Sequence, residues 1–232
     1  MSVSLGSAET TLLNITSAYA TFINGGKKIN PALIERIQDR RGKTIFNSDK
    51  RKCIGCDKYS NTHNEIPEIQ DNYKQVISEE TAYQITSMLE GAIKRGTGKK
   101  LKDLQLNLAG KTGTTNENTD AWFIGFTSNL VVGVYVGMDS PKPLGKFETG
   151  SKAALPIFRE FIEKSVKKSD ARPFKVPKEM TLMVVDPLTG EKAKFNSKNT
   201  IIEAYKSKNV LNGKVLYSDN NRIDTNNILK FY

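Results

Sequence analysis

An α/β (α+β) fold, a mixed, largely antiparallel sheet with packed helices, is what this chain predicts, and three observations carry it. Residues 78–96 place Ala82, Ile85, Met88, Leu89, Ala92 and Ile93 at helical spacing behind Ser78, a helix-capping residue type. Residues 121–127 and 130–137 are two aromatic and β-branched runs separated by Ser128 and Asn129, the pattern of a hairpin. Leu106 and Leu108 alternate with polar neighbours ahead of the glycine-flanked Lys111, as in a strand that ends in an exposed cationic edge.

The chain of 232 residues is long enough to bury a core, and with 38% hydrophobic and 26% charged residues it reads as globular. No apolar run approaches the roughly 20 residues of a membrane-crossing helix, and the first residues lack the basic-then-apolar layout of a signal peptide. The net charge of +10 favours anionic partners. Its excess lies in the last third, where lysines are interleaved with Ser, Asn and Glu without a stripe or aromatic spacing. That pattern describes a solvated surface, and no nucleic acid partner is expected.

Residues 5–26 carry Leu12, Leu13, Ile15, Tyr19, Phe22 and Ile23 on overlapping helical spacings and stop at Gly25 and Gly26, so an amphipathic helix is expected. Residues 29–46, with Leu33, Ile34 and Ile37 before a turn at Arg40 to Lys43, read as a hairpin. A polar loop follows with Cys53, Cys56 and His63. A zinc site wants four ligands and would have to recruit Asp57 or Glu65, so free thiols or a short disulfide are expected, and no metal or other cofactor. In an exported protein the disulfide is the expected state.

After the helix at 78–96 and the three strands, in which Trp122 and Phe123 are expected in the core and Val131, Val132, Val134 and Val136 suggest burial on both faces, residues 152–164 form another amphipathic helix. Leu155, Phe158 and Ile162 share one face of it, and Pro156 lies in its first turn. Residues 180–195 look like a hairpin about Asp186 to Gly190, and the last thirty-odd residues read as irregular or loosely attached. The expected organisation is a main unit at 1–168, with a loop and hairpin insert at about 27–76, and a tail at 169–232.

Lys111, Thr112, Gly113 and Thr114 have the chemistry to hold a peptide carboxylate: a compact cation, two hydroxyls, and a glycine that lets a second backbone come close. An extended peptide could add there as an extra strand.

The whole run at 109–139, AGKTGTTNENTDAWFIGFTSNLVVGVYVGMD, closely resembles the third active-site motif and following hairpin of the penicillin-binding transpeptidases, in particular the class A (bifunctional) penicillin-binding proteins. The helix at 5–26 is similar to the segment that follows their second motif, and the Arg95, Gly96, Thr97, Gly98 turn to the connection before their Lys-Thr-Gly strand. The resemblance covers roughly residues 5–165. It implies the serine β-lactamase-like penicillin-binding transpeptidase fold, incomplete on its N-terminal side. Lys111, Thr112 and Thr114 would face the terminal carboxylate of stem peptides ending in D-Ala-D-Ala, or of β-lactams, with Gly113 in the substrate edge and the Thr114 N–H as half of the oxyanion hole.

The family works on the periplasmic face of the cytoplasmic (inner) membrane through an N-terminal anchor, and class A members also carry a peptidoglycan glycosyltransferase domain. Neither has a counterpart here. No Ser-x-x-Lys or Ser-x-Asn precedes Lys111; Ser165 with Lys168, and the triplets at Ser197, Ser207 and Ser218, satisfy the patterns by letter but follow it. The implied catalytic set therefore lacks its nucleophile. An isolated chain is expected to be inactive and to depend on the upstream part of the same protein, the alternative being a non-catalytic binding module or a degenerate gene fragment.

Overall fold

The computed structural model describes residues 8–56, 66–170, 172–211 and 214–215. The centre is an antiparallel sheet of β5 (Ala109–Thr114), β6 (Ala121–Phe126) and β7 (Val131–Val136), in that spatial order. Helices α1 (Leu12–Ile23), α2 (Glu79–Lys94) and α3 (Leu155–Ser165) pack around it. Small hairpins complete the fold: β1 (Arg36–Gln38) with β2 (Thr44–Asn47), β3 (Cys53–Ile54) with β4 (Glu68–Ile69), and β8 (Met180–Val185) with β9 (Ile201–Lys206).

Each helix starts where its sequence supplies a cap or a pre-set backbone. The Thr11 hydroxyl accepts from the Asn14 N–H and opens α1, so the helix begins at Leu12, well inside the span expected from residue 5. Ser78 does the same for α2 through the Thr81 N–H, with Glu79 and Glu80 at the positive end of the dipole. Pro156 lies in the first turn of α3, which follows a π-type turn at Gly150–Ala154. Strand β5 starts at Ala109; ahead of it Lys99–Leu104 forms a 3₁₀ turn, so Leu106 precedes the strand.

One face of the sheet makes the main core. Phe123 meets Phe158 of α3 with ring centroids 4.7 Å apart, and Leu101, Leu108, Ile93, Leu155 and Ile162 close around them. The expected α3 face is thus the buried one. The α2 face is rotated from the expected one: Ala82, Thr86, Gly91 and Ile93 are buried, while Met88 is 65% exposed. The opposite sheet face receives α1, which comes so close that a Cβ on Gly133 would lie 2.2 Å from Thr16 Oγ1 and 2.9 Å from Leu12 Cδ1. Leu13 points away from that contact.

Other expectations are corrected. Only Val134 of the β7 valines is buried, because β7 is an edge strand of this sheet. Trp122 is half-buried, not core. Leu33 and Ile34 precede the first hairpin and are exposed. Around Asp186 to Gly190 there is a tight turn, with the Gly190 N–H donating to Asp186 O, yet β8 finds its long partner in 201–206, beyond the expected limit at 195. Strand β9 is bound to α2: Gln84 Nε2 donates to Ala204 O at 3.0 Å and Lys206 Nζ to Thr81 Oγ1 at 2.8 Å. Residues 201–206 are therefore ordered, while the end of the tail at 216–232 falls outside the described residues.

Candidate active site

Strand β5 has β6 on one side and a free edge on the other. The Thr115 N–H donates to Asp120 O across the β5–β6 pair. Because N–H directions alternate along a strand, the N–H and C=O groups of Thr112 and Thr114 point out over the free edge. Their side chains and that of Lys111 divide between the two faces. Register pairs Lys111 with Ile124 and Gly113 with Trp122, so both share the face that looks towards α1. Thr112 pairs with Phe123 and lies on the core face with Thr114.

Lys111 is exposed, and its ammonium donates to Thr112 O at 2.9 Å. The Thr112 hydroxyl is 3.0 Å from that of Thr97, which brings the turn after α2 to the free edge of β5. The Thr114 hydroxyl accepts from the Gly150 N–H at 3.1 Å and so anchors the turn leading into α3. The three expected carboxylate ligands therefore share one strand edge, Lys111 from one face and the two threonine hydroxyls from the other. At Gly113 a Cβ would stand 3.1 Å from Trp122 Cβ, so the glycine also makes room for the neighbouring strand's indole.

Beside this edge runs an open groove of about 1140 Å³, lined on one side by Lys111 to Asn116 and on the other by Leu12, Ile15 and Tyr19 of α1. Its floor holds Trp122, Ile124, Tyr135 and Asp120. Trp122 and Tyr135 pack with ring centroids 4.5 Å apart and planes inclined at 48°. The Tyr135 hydroxyl donates to Asp120 Oδ1 at 2.8 Å, and that hydrogen bond holds the phenol above its ordinary pKa. Sequence reasoning gave Tyr135 no place; its register opposite Trp122 was the signal available. A second cavity of about 750 Å³, between the end of α1, the β6–β7 turn and residues 169–177, contains none of the residues singled out by chemistry.

Cys53 and Cys56 are disulfide-bonded. His63, Asp57 and Glu65, the other ligands a metal would need, lie outside the described residues, and among those described no group of His, Cys, Asp or Glu is arranged to hold a metal ion. Ser165 is the exposed last residue of α3 and does not line the groove. Ser197 and Ser207 fall in turns of the β8–β9 region, and Ser218 lies outside the described residues. No described helix is long and apolar enough to cross a membrane.

The profile described as "Penicillin binding protein transpeptidase domain" matches residues 1–163, most of the chain. The chain belongs to the penicillin-binding protein transpeptidase family. Among curated proteins it is 48% identical over 211 residues to penicillin-binding protein 1A of Rickettsia conorii, covering 90% of this chain and 26% of that protein. It is 32% identical to penicillin-binding protein 1A of Pseudomonas aeruginosa, covering 89% of this chain and 29% of that protein. Among solved structures, penicillin-binding protein 1A from Haemophilus influenzae superimposes with a TM-score of 0.74 at 31% identity, over 94% of this chain and 34% of that one. An imipenem acyl-enzyme complex of penicillin-binding protein A from Mycobacterium tuberculosis gives a TM-score of 0.50 at 24% identity over 71% of this chain and 34% of that one, a likeness of fold alone. The helices and antiparallel strands thus form the penicillin-binding fold, over about a quarter of the length of the Rickettsia conorii protein.

Proposed function

We propose that this chain is the C-terminal portion of a D,D-transpeptidase domain and supplies the substrate-holding edge for cross-linking cell-wall stem peptides. The observation that carries this reading is the free edge of β5, where Lys111 is exposed and the Thr114 N–H points outward beside an open groove.

In the proposed reaction a serine from an upstream segment attacks the carbonyl between the last two residues of a peptide ending in D-Ala-D-Ala. D-alanine leaves, and an amine of a neighbouring stem peptide takes the acyl group. The peptide lies along β5 as an added strand. Lys111 neutralises its terminal carboxylate, the Thr112 hydroxyl donates to it, and the outward Thr114 N–H stabilises the oxyanion. The Thr114 hydroxyl accepts from Gly150, which leaves its own proton for the carboxylate. Loss of one oxyanion donor costs roughly a hundredfold or more in rate, whereas without the serine there is no covalent route.

No Ser-x-x-Lys precedes Lys111, so the isolated chain binds such peptides and β-lactams without acylation. Incubation with a fluorescent penicillin tests this. The expected result is no covalent label on the chain alone and label on the serine once an upstream segment bearing Ser-x-x-Lys and Ser-x-Asn is added. Stable labelling of the chain alone overturns the missing nucleophile. Weak peptide binding with no labelling in either condition favours the non-catalytic binding module. The whole protein would work outside the cytoplasmic membrane, held there by an upstream anchor.

A further inference from the structure

The loop between β7 and α3 carries an exposed aromatic that the substrate edge does not use. Phe147 is 62% exposed and its backbone sits at φ 76°, a region that bulky L-residues rarely adopt. The ammonium groups of Lys146 and Lys152 each stand 5.4 Å from the centre of its ring. Neither lysine forms an ion pair among the described residues, and the loop's own acids, Asp139 and Glu148, leave both ammonium groups open. The assembly is a small cationic platform with an apolar centre.

Its position follows from two hydrogen bonds. The Leu144 N–H donates to Asn118 O at 2.9 Å, and the Gly150 N–H donates to the Thr114 hydroxyl at 3.1 Å. Phe147 is thus carried on a segment pinned at both ends to the stretch that continues β5, from Thr114 to Asn118. A peptide with its terminal carboxylate at Lys111 and its reacting carbonyl at the Thr114 N–H must run antiparallel to β5. Its upstream residues, advancing about 3.3 Å each, leave the edge past Thr114, towards the stretch to which this loop is tied.

We infer that Phe147, Lys146 and Lys152 form an upstream subsite for the acidic part of the peptide substrate, pairing carboxylates of the residues before the terminal D-Ala-D-Ala with the two ammonium groups while their aliphatic stems rest on the ring. The inference rests on the proposed substrate edge and gives it a substrate class: an acidic peptide. The local cations supply the charge complementarity, and the pinned ends supply the alignment.

The experiment is a calorimetric titration of the whole chain at low salt with three acetylated peptides: D-Ala-D-Ala alone, and the same pair preceded by two glutamates or by two glutamines. The expected result is that the glutamate peptide binds roughly fivefold more tightly than the glutamine peptide, the scale two exposed ion pairs provide at low ionic strength. Lys146→Gln with Lys152→Gln removes that preference and leaves the dipeptide's affinity unchanged. Phe147→Gly, which accepts the left-handed backbone, lowers affinity for both long peptides and not for the dipeptide. Equal binding of the two long peptides, or a glutamate preference that survives the double lysine change, overturns the subsite. If the dipeptide fails to bind while the glutamate peptide binds through these residues, the substrate edge falls and the subsite stands. If no peptide binds, both fall.

Discussion

Lys111 and Thr112 are neighbours in sequence with different duties, because a strand turns successive side chains to opposite faces. Lys111 projects towards α1 and is exposed, whereas Thr112 is tied to Thr97. Lys111→Ala should therefore weaken binding of a D-Ala-D-Ala peptide by about tenfold or more, the worth of a charge-assisted hydrogen bond, while moving stability by less than about 0.5 kcal/mol. A binding titration beside a thermal melt checks both halves; a large loss of stability would place Lys111 in the packing. Tyr135 offers a pH test. The Asp120 carboxylate raises the pKa of its phenol, so the folded state holds the proton more tightly than the unfolded chain. That contribution is complete below the ordinary tyrosine value of about 10 and is lost as pH rises through the folded value. Burial also raises Tyr19 and Tyr83, so ultraviolet titration should show several tyrosines ionising late, and Asp120→Asn should bring one of them earlier. The strand with its exposed Lys111 was legible from the sequence because alternation and residue type mark it locally. The partner of Gly113 was not: that it makes room for Trp122 is a fact about strand register, which no local pattern encodes.

The elements differ in how much of their packing a one-dimensional reading reaches. Helix α3 was legible in detail, because Leu155, Phe158 and Ile162 are spaced to bury together and nothing competes for their face. Phe158→Ala should cost about 3–5 kcal/mol through the void left against Phe123, measurable by denaturant unfolding. On α2 the reading put Met88 inward, but the face turns to meet β9 as well as β5, and Thr86 is buried in its place with its hydroxyl donating to Ala82 O. That β9 supplies part of the neighbourhood depends on pairing across the long connection from 186 to 200, beyond the reach of turn chemistry. The contact of α1 with β7 turns on a missing side chain. Gly133→Val should force α1 away from the sheet, costing about 1–3 kcal/mol and, if the groove wall shifts with it, peptide affinity as well. Unchanged affinity in a destabilised Gly133→Val protein would show that α1 does not shape the groove.

Across the whole molecule, distant segments are clamped by a few polar links. Arg159 of α3 holds Asp103 through two hydrogen bonds at 2.9 and 2.8 Å and also donates to Lys100 O at 2.7 Å, which fixes the turn before β5 against α3. The hydrogen bonds from Arg159 keep the Asp103 carboxyl below its ordinary value. This contribution is present above the unfolded-state pKa of about 3.9 and fades as pH falls through the folded value. Melting temperature should therefore drop on acidification more steeply in the parent protein than in Asp103→Asn; equal slopes would remove the clamp from the stability of the fold. The Cys53–Cys56 link belongs to a different part of the molecule, tied by the short β3–β4 ladder.

The amide of Gly150 and the hydroxyl of Thr114 join the front of the sheet to the root of α3, and a Cβ at position 150 would come within 2.5 Å of the main-chain oxygens of Trp122 and Gly113. Variation at position 114 is consequently constrained from behind: serine preserves the tether, whereas alanine or valine would loosen a helix root. Tolerated variation should then accumulate next door, at Thr97 or Thr115, where changing the rim leaves the tether intact.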